Sequence, residues 1–344
     1  MTARFTWPAS VMVLVGIIAL AGCSFGPSRV VHEISGPIFG TSYHIKVVLT
    51  GESSTPDDLR DDINRVLEDV DAAMSTWRDD SELSRFNRQS GSGDWFPVSD
   101  GFHEVLEESL RIGRMTDGAF DVTIGPVVNL WGFGPKGRPE TIPDPRTLSA
   151  TLSETGYEKL ALREKPPALK SQGEQYVDLS AIAKGYAVDE VSRILREKGI
   201  AAYLVEIGGE IRVQGRKPSG DAWKLAVEQP ISSARSIQQV VAMEKGSIAT
   251  SGDYRNYYEV DGQRYSHTVD PQTGRPIEHS LASVSVIREK AMTADALATA
   301  LSVMGEERGY AFAVERDLPA YFVYRDGESF RVRYTPEFSS YLIQ

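Results

Sequence analysis

The sequence predicts an α+β fold, with mixed, largely antiparallel sheets and helices packed on them. Three observations predict it. Strand and helix patterns come in blocks rather than in strict alternation, which disfavours a doubly wound sheet. Asp261-Gly262 and Asp326-Gly327 stand between apolar runs, as hairpin turns do. Residues 57–74 place Leu59, Ile63, Val66, Val70 and Met74 on one helical stripe. The chain has 344 residues, 41% apolar and 25% charged. That is enough for a large single core or two subdomains.

The first segment is set aside before the fold is read. Arg4 is the only charge ahead of an almost wholly apolar run over 11–21, which is too short to span a bilayer. The run ends in Leu20-Ala21-Gly22-Cys23, and Cys23 is the only cysteine. This resembles a bacterial lipoprotein signal, in which the cysteine is acylated and becomes the first residue. The expected organisation is a signal peptide over 1–22, a tether over 23–33 and a single domain over 34–344. One cysteine permits no disulfide within the chain. Loss of Arg4 with the leader takes the formal charge from −11 to −12. An acidic surface argues against nucleic acid as a partner. An anionic substrate would then need local positive charge or a metal.

Along the chain, 34–49 reads as a hairpin broken at Gly40-Thr41. A second helix is expected over 101–115, with Phe102, Val105, Leu106 and Leu110 inward. Residues 131–145, rich in Gly and Pro, form a loop that suits a lid. A short helix follows over 147–156, then a polar turn region over 165–173. The central stretch runs Tyr176-Val-Asp-Leu-Ser-Ala-Ile-Ala-Lys-Gly-Tyr-Ala-Val-Asp189. It is expected to end a strand at Val177, cap a helix with Ser180 and stop that helix at Gly199. Strands are expected over 202–207, 210–214, 223–228, 236–243, 247–250, 257–260, 264–269 and 282–286. A helix over 293–304 and a hairpin over 321–334 close the chain.

Several standard sites are absent: a phosphate loop, a Gly-x-Gly-x-x-Gly turn, a His-Glu-x-x-His pair and a serine-hydrolase elbow. Five stretches remain that can carry chemistry. A strand-to-helix turn at Asp178 offers free N–H groups to phosphate, with Lys184 one turn in. Asp295 and Thr299, four apart on a helix, project two hard oxygen ligands from one face, apt for Mg²⁺. His267 ends a strand and is placed to be a general base, with Asp270 either orienting it or capping the next turn. Residues 250–257 pack polar groups and aromatics into a tight turn. Trp77 and Ala119-Phe120-Asp121 offer flat rings and a carboxylate to an aromatic ligand. Each stretch also has a plain structural alternative: a helix cap, a buried threonine, a turn or an aromatic core.

In this order, the pieces resemble the FAD:protein FMN transferase family, the ApbE family of lipoproteins. The matching pieces are Phe39-Gly40-Thr41, Met74-Ser75-Thr76-Trp77, residues 117–123, residues 178–189, Gly208-Gly209-Glu210, residues 251–255, Ser266-His267 to Asp270-Pro271, and Ala294-Asp295-Ala296. The resemblance implies a T-fold-like architecture. It implies that Mg²⁺ and FAD bind together and that the FMN half of FAD moves to a Ser or Thr hydroxyl of a target protein, with release of AMP. Asp295, Thr299 and the main-chain carbonyl of Ala181 would hold the metal. Phe39, Trp77, Ala119, Phe120, Asp121, Asp178, Lys184 and Val269 would line the FAD site. His267 is the candidate catalytic base. Implied partners are membrane-bound flavin-carrying subunits of respiratory electron-transfer complexes. The implied location is the periplasmic face of a bacterial membrane, the inner favoured over the outer, with the lipid on Cys23 as anchor. Two rivals stand beside it: a Mg²⁺-dependent FAD pyrophosphatase that would use the same residues, and a flavin-binding lipoprotein without catalysis.

Overall fold

The computed structural model describes residues 29–50, 55–134, 137, 141–231 and 236–343. Cys23 and its leader lie outside them. In chain order the strands and helices are β1 (Arg29–Ile38), β2 (Thr41–Thr50), α1 (Pro56–Met74), α2 (Glu82–Gln89), β3 (Phe96–Pro97), α3 (Asp100–Met115) and α4 (Gly125–Leu130). Next come α5 (Pro145–Glu154), β4 (Leu160–Arg163), β5 (Ala168–Ser171), α6 (Ala183–Glu197), β6 (Tyr203–Ile207), β7 (Glu210–Gln214), β8 (Trp223–Glu228) and β9 (Ile237–Met243). The last are β10 (Lys245–Gly252), β11 (Tyr257–Val260), β12 (Gln263–Ser266), β13 (Leu281–Arg288), α7 (Ala291–Glu315), β14 (Ala320–Asp326) and β15 (Ser329–Tyr334).

Eight strands form the main sheet, in the order β1-β2-β6-β7-β10-β13-β14-β15. Each neighbouring pair in it is antiparallel. The α+β expectation holds, and the sheet stays open. Alternate residues point to opposite faces. Val47, Val205 and Phe322 join the larger core, beneath α1, α3, α6 and α7. Val48, Val213 and Val323 face the other way, into a second core with Trp223, Val241 and Phe338. With both faces covered, β13 and β14 are buried almost throughout.

Local chemistry sets the helix ends. Thr55 and Asp58 form a capping box ahead of α1, with Pro56 at its first position. Gly199, at φ +74°, ends α6 while the Ile200 N–H donates to Leu195 O at 2.9 Å.

The structure corrects four expectations. The tether expected over 23–33 does not hold for its last five residues, because Arg29 to Glu33 pair with Thr50 to Lys46 in β1–β2. The turn region at 165–173 contains β5, paired with β3 and β4. Residues 174–177 form no strand. Asn87 of α2 instead takes both polar groups of Val177, accepting its N–H at 2.8 Å and donating to its carbonyl at 2.9 Å. The last helix continues past Met304 to Glu315, across a break at Gly305. Gly305 sits at φ +75°, and a Cβ there would meet the His279 ring at 2.6 Å, so the chain needs glycine at that bend.

Candidate active site

The floor of the site is made by the first turns of α6 and α7. They meet at Gly185, where a Cβ would stand 2.5 Å from Ala291 O and 2.6 Å from Met292 Cα. That backbone approach lets each helix cap the other. Asp189 of α6 accepts the N–H groups of Ala291 and Met292, both at 3.0 Å. Asp295 of α7 accepts the Gly185 N–H at 3.1 Å. These are the unpaired N–H groups that every helix start presents. The expected Ser180 cap is therefore replaced. Ile182 occupies the cap position with no side-chain bond, because the cap comes from the neighbouring helix. Arg212 of β7 pairs with Asp189 and holds it in place. Burial pushes the Asp189 carboxyl up, opposed by the two N–H groups and Arg212.

Lys184, in the first turn of α6, lies 2.8 Å from Glu210 Oε1 and 3.6 Å from Asp295 Oδ2. Burial works against its charge, but the carboxylates of Asp295 and Glu210 outweigh burial and hold the ammonium above its ordinary range. Burial likewise pushes the Glu210 carboxyl up, against the pull of Lys184. Thr299, one turn beyond Asp295, is 3.1 Å from the Ser251 hydroxyl.

One wall carries His267. Its Nδ1 lies 3.0 Å from the Asn256 carbonyl, which also accepts its main-chain N–H at 3.1 Å. A carbonyl only accepts, so the ring proton sits on Nδ1 and Nε2 keeps its lone pair. Burial lowers the His267 pKa, which favours this neutral form. Asp270 does not orient the ring. Its carboxylate accepts from the Gln272 N–H at 2.9 Å and the Thr273 hydroxyl at 3.1 Å, so it caps the turn. Phe133 meets the imidazole edge-on, 6.3 Å between ring centres. Behind it Phe133, Tyr258, Tyr265 and Trp131 stack in succession at 5.1–5.5 Å. The expected lid thus begins as a docked segment, pinned by the Trp131 indole on Gly274 O at 2.8 Å.

Opposite lie Ala119, Phe120 and Asp121. The Asp121 carboxylate is taken up by its own chain: the Thr123 N–H and hydroxyl at 2.8 and 2.7 Å, and the Tyr157 N–H at 3.2 Å. Burial raises its pKa. Asp178 accepts the Ser180 N–H at 2.9 Å and shapes the turn into α6. Trp77 stands at the rim, 72% exposed, which for a tryptophan marks a contact surface.

These walls enclose a cavity of about 430 Å³. It brings together Trp77, Ala119, Phe120, Asp121, Asp178, Ala181, Lys184, His267, Val269, Asp295 and Thr299. Phe39 alone among the expected residues is elsewhere, in an adjoining cleft that shares Trp77 and Lys184 with the cavity. It sits at the tip of the β1–β2 hairpin at φ +50°, an unusual conformation for an aromatic residue.

The residues fit a hard cation. The cavity offers hard oxygen donors: the Asp295 carboxylate, the Thr299 and Ser251 hydroxyls, and the main chain at Ala181. Glu210 Oε2, buried in the wall, has no hydrogen-bond partner. Such an orphan favours added positive charge. Among the described residues no three His, Cys, Asp or Glu gather as a complete metal cluster. A cation here would draw further ligands from a substrate.

The sequence profile of the ApbE family matches residues 39–322. The chain belongs to the ApbE family. It is 45% identical over 331 residues to the FAD:protein FMN transferase of Vibrio cholerae, covering 96% of this chain and 98% of that one. It is 40% identical to the FAD:protein FMN transferase of Haemophilus influenzae, covering 94% of each. Among solved structures, the flavin transferase ApbE from Vibrio cholerae superposes with a TM-score of 0.84 at 44% identity, covering 92% of this chain and 100% of that one. The apo flavinyl transferase ApbE of Pseudomonas stutzeri gives 0.84 at 39% identity, covering 91% and 97%.

Within this ApbE fold, sequence reasoning missed several cavity residues. Phe133 and Gly134, expected only as part of a loop, and Ser251 and Asn256, expected only as part of the polar turn over 250–257, all line it. Glu210 was visible only as the end of Gly208-Gly209-Glu210. Its burial beside Lys184 had no local signal, since β7 and α6 are brought together by the fold.

Proposed function

We propose that this chain transfers the FMN part of FAD to a Ser or Thr hydroxyl of a target protein, in a reaction that depends on a divalent cation, Mg²⁺ by its donor set. One observation carries the reading. A single cavity holds the Asp295–Thr299 oxygen pair, the Lys184 ammonium and a neutral His267 whose Nε2 can take a proton. Its relatives' names supply the direction of transfer.

The residues divide the work. Trp77, Phe120 and the adjoining Phe39 cleft offer aromatic faces to the flavin and adenine rings. Lys184, in the first turn of α6, brings positive charge to the pyrophosphate. Asp295, Thr299 and the Ala181 carbonyl would hold the cation, which neutralises charge on the phosphates. His267 Nε2 removes the acceptor proton. The acceptor oxygen then forms a bond to the FMN phosphorus, the bond from that phosphorus to the bridging oxygen breaks, and AMP leaves with that oxygen.

The test is purified protein with FAD and Mg²⁺, with and without an acceptor peptide. AMP together with covalently bound FMN supports the proposal. AMP with free FMN would make the chain a pyrophosphatase, and unchanged FAD would make it a binder.

The same proposal places the enzyme on the periplasmic face of the inner membrane, anchored by a lipid on Cys23. Among the described residues no helix is long and apolar enough to cross a membrane. Flavin-carrying subunits of membrane respiratory complexes are the partners this placement favours. Metabolic lipid labelling of Cys23→Ser tests it: retained label would remove the anchor from the proposal.

A further inference from the structure

Glu210 is a buried acid in the cavity to which the reaction above gives no task. It is 3% exposed, and its Oε2 meets no donor. Its other oxygen holds Lys184 at 2.8 Å, while the same ammonium stands 3.6 Å from Asp295. Two buried carboxylates side by side repel unless a positive charge lies between them. Without a cation, Lys184 is that charge. With a cation on Asp295, the ammonium is repelled and needs another partner.

We propose that Glu210 is a positioning residue for Lys184, holding the ammonium against the β7 wall so that Asp295 is left to the divalent cation. The inference rests on the cation reading above. Glu210 sits at the start of β7, directly after Gly208-Gly209, with Gly208 at φ +58° and Gly209 at φ +105°. A Cβ on Gly208 would come within 3.3 Å of Lys184 Cδ, so the turn gives the lysine stem its room. Without the Glu210 charge, Asp295 becomes the only carboxylate left to Lys184. The ammonium then pairs with Asp295 and competes with the cation.

The test reads cation binding, not turnover. Mn²⁺ alone, without flavin, is titrated into wild type, Glu210→Gln, Lys184→Gln and the double variant, with free Mn²⁺ followed by electron paramagnetic resonance. Melting temperatures without cation check that each variant is folded. Glu210→Gln is expected to weaken Mn²⁺ binding about tenfold, a coupling within the range of residues sharing one charge network. Lys184→Gln is expected to strengthen it. The deciding value is the double variant. If Glu210 acts through the lysine, Glu210→Gln changes little in the Lys184→Gln background. An equal loss in both backgrounds means that Glu210 acts on the cation directly and overturns the proposal. Unchanged or weaker binding in Lys184→Gln overturns it as well, and does so even if Glu210→Gln does not fold. Absence of Mn²⁺ binding to wild type overturns the cation site itself and this inference with it.

Discussion

The floor of the cavity and its rim are built on opposite terms. On the floor, α6 and α7 touch backbone to backbone at Gly185, and Asp189 and Asp295 each satisfy the other helix. Every charge there has a partner close by, and little of it meets water. The rim is made of aromatic side chains on turns: Trp77 exposed, Phe39 on a hairpin tip, Phe133 at the end of a stack. The difference teaches where tolerance lies. Changes to the floor disturb fold and chemistry together, while changes to the rim alter ligand contact and leave the fold alone.

Five substitutions probe that contrast, taken from the floor outward to the rim. Gly185→Ala drives a methyl into the Ala291–Met292 backbone and should cost on the order of 1–3 kcal/mol, with transfer lost alongside. Urea denaturation and FMN transfer on the same sample check it, and wild-type stability would mean that the helices can part. Asp295→Ala and Thr299→Val should cut transfer on the order of 10²–10³-fold, with a smaller loss of FAD affinity. Wild-type rates in both at saturating Mg²⁺ would remove them from the floor's chemistry.

His267→Ala stands between floor and rim. Transfer should fall on the order of 10²–10⁴-fold while FAD affinity holds. Burial lowers the His267 pKa, so the neutral base persists to lower pH than an ordinary imidazole allows. Wild-type transfer should therefore rise with pH through a midpoint below about 6.5 and be flat above it. The variant should lack that limb. A limb that survives in the variant assigns the proton to another group. Trp77→Ala should weaken FAD binding several-fold and leave the melting curve in place, because surface changes usually stay within about 0.5 kcal/mol. A large stability loss there would erase the contrast.

The sequence showed the two regions unequally. The rim was legible in part: Trp77 and the turn after His267 are local signals, whereas Phe39 entered only through the family resemblance and Phe133 stood unmarked in a Gly- and Pro-rich loop. On the floor, Asp295 and Thr299 were legible as an i, i+4 pair. Their partners were not. Reciprocal capping by Asp189 and Asp295 spans 102 and 110 residues of sequence, so Ser180 looked like the cap. Asn87 reaches across 90 residues to take the polar groups of Val177, and a strand pattern there became a clamped segment. Alternation failed in β13 and β14 because both faces of the sheet are covered. The hairpins fared best, since Asp261-Gly262 and Asp326-Gly327 encode their own turns.

The first hairpin also sets a distance. β1 runs ten residues from Arg29 to Ile38, about 33 Å at strand rise, and Phe39 follows at its far end beside the cleft. Cys23 lies six residues ahead of Arg29, a reach of at most about 20 Å. If Cys23 carries a lipid, the cleft beside Phe39 stands a full strand length from the end of β1 into which the anchor leads.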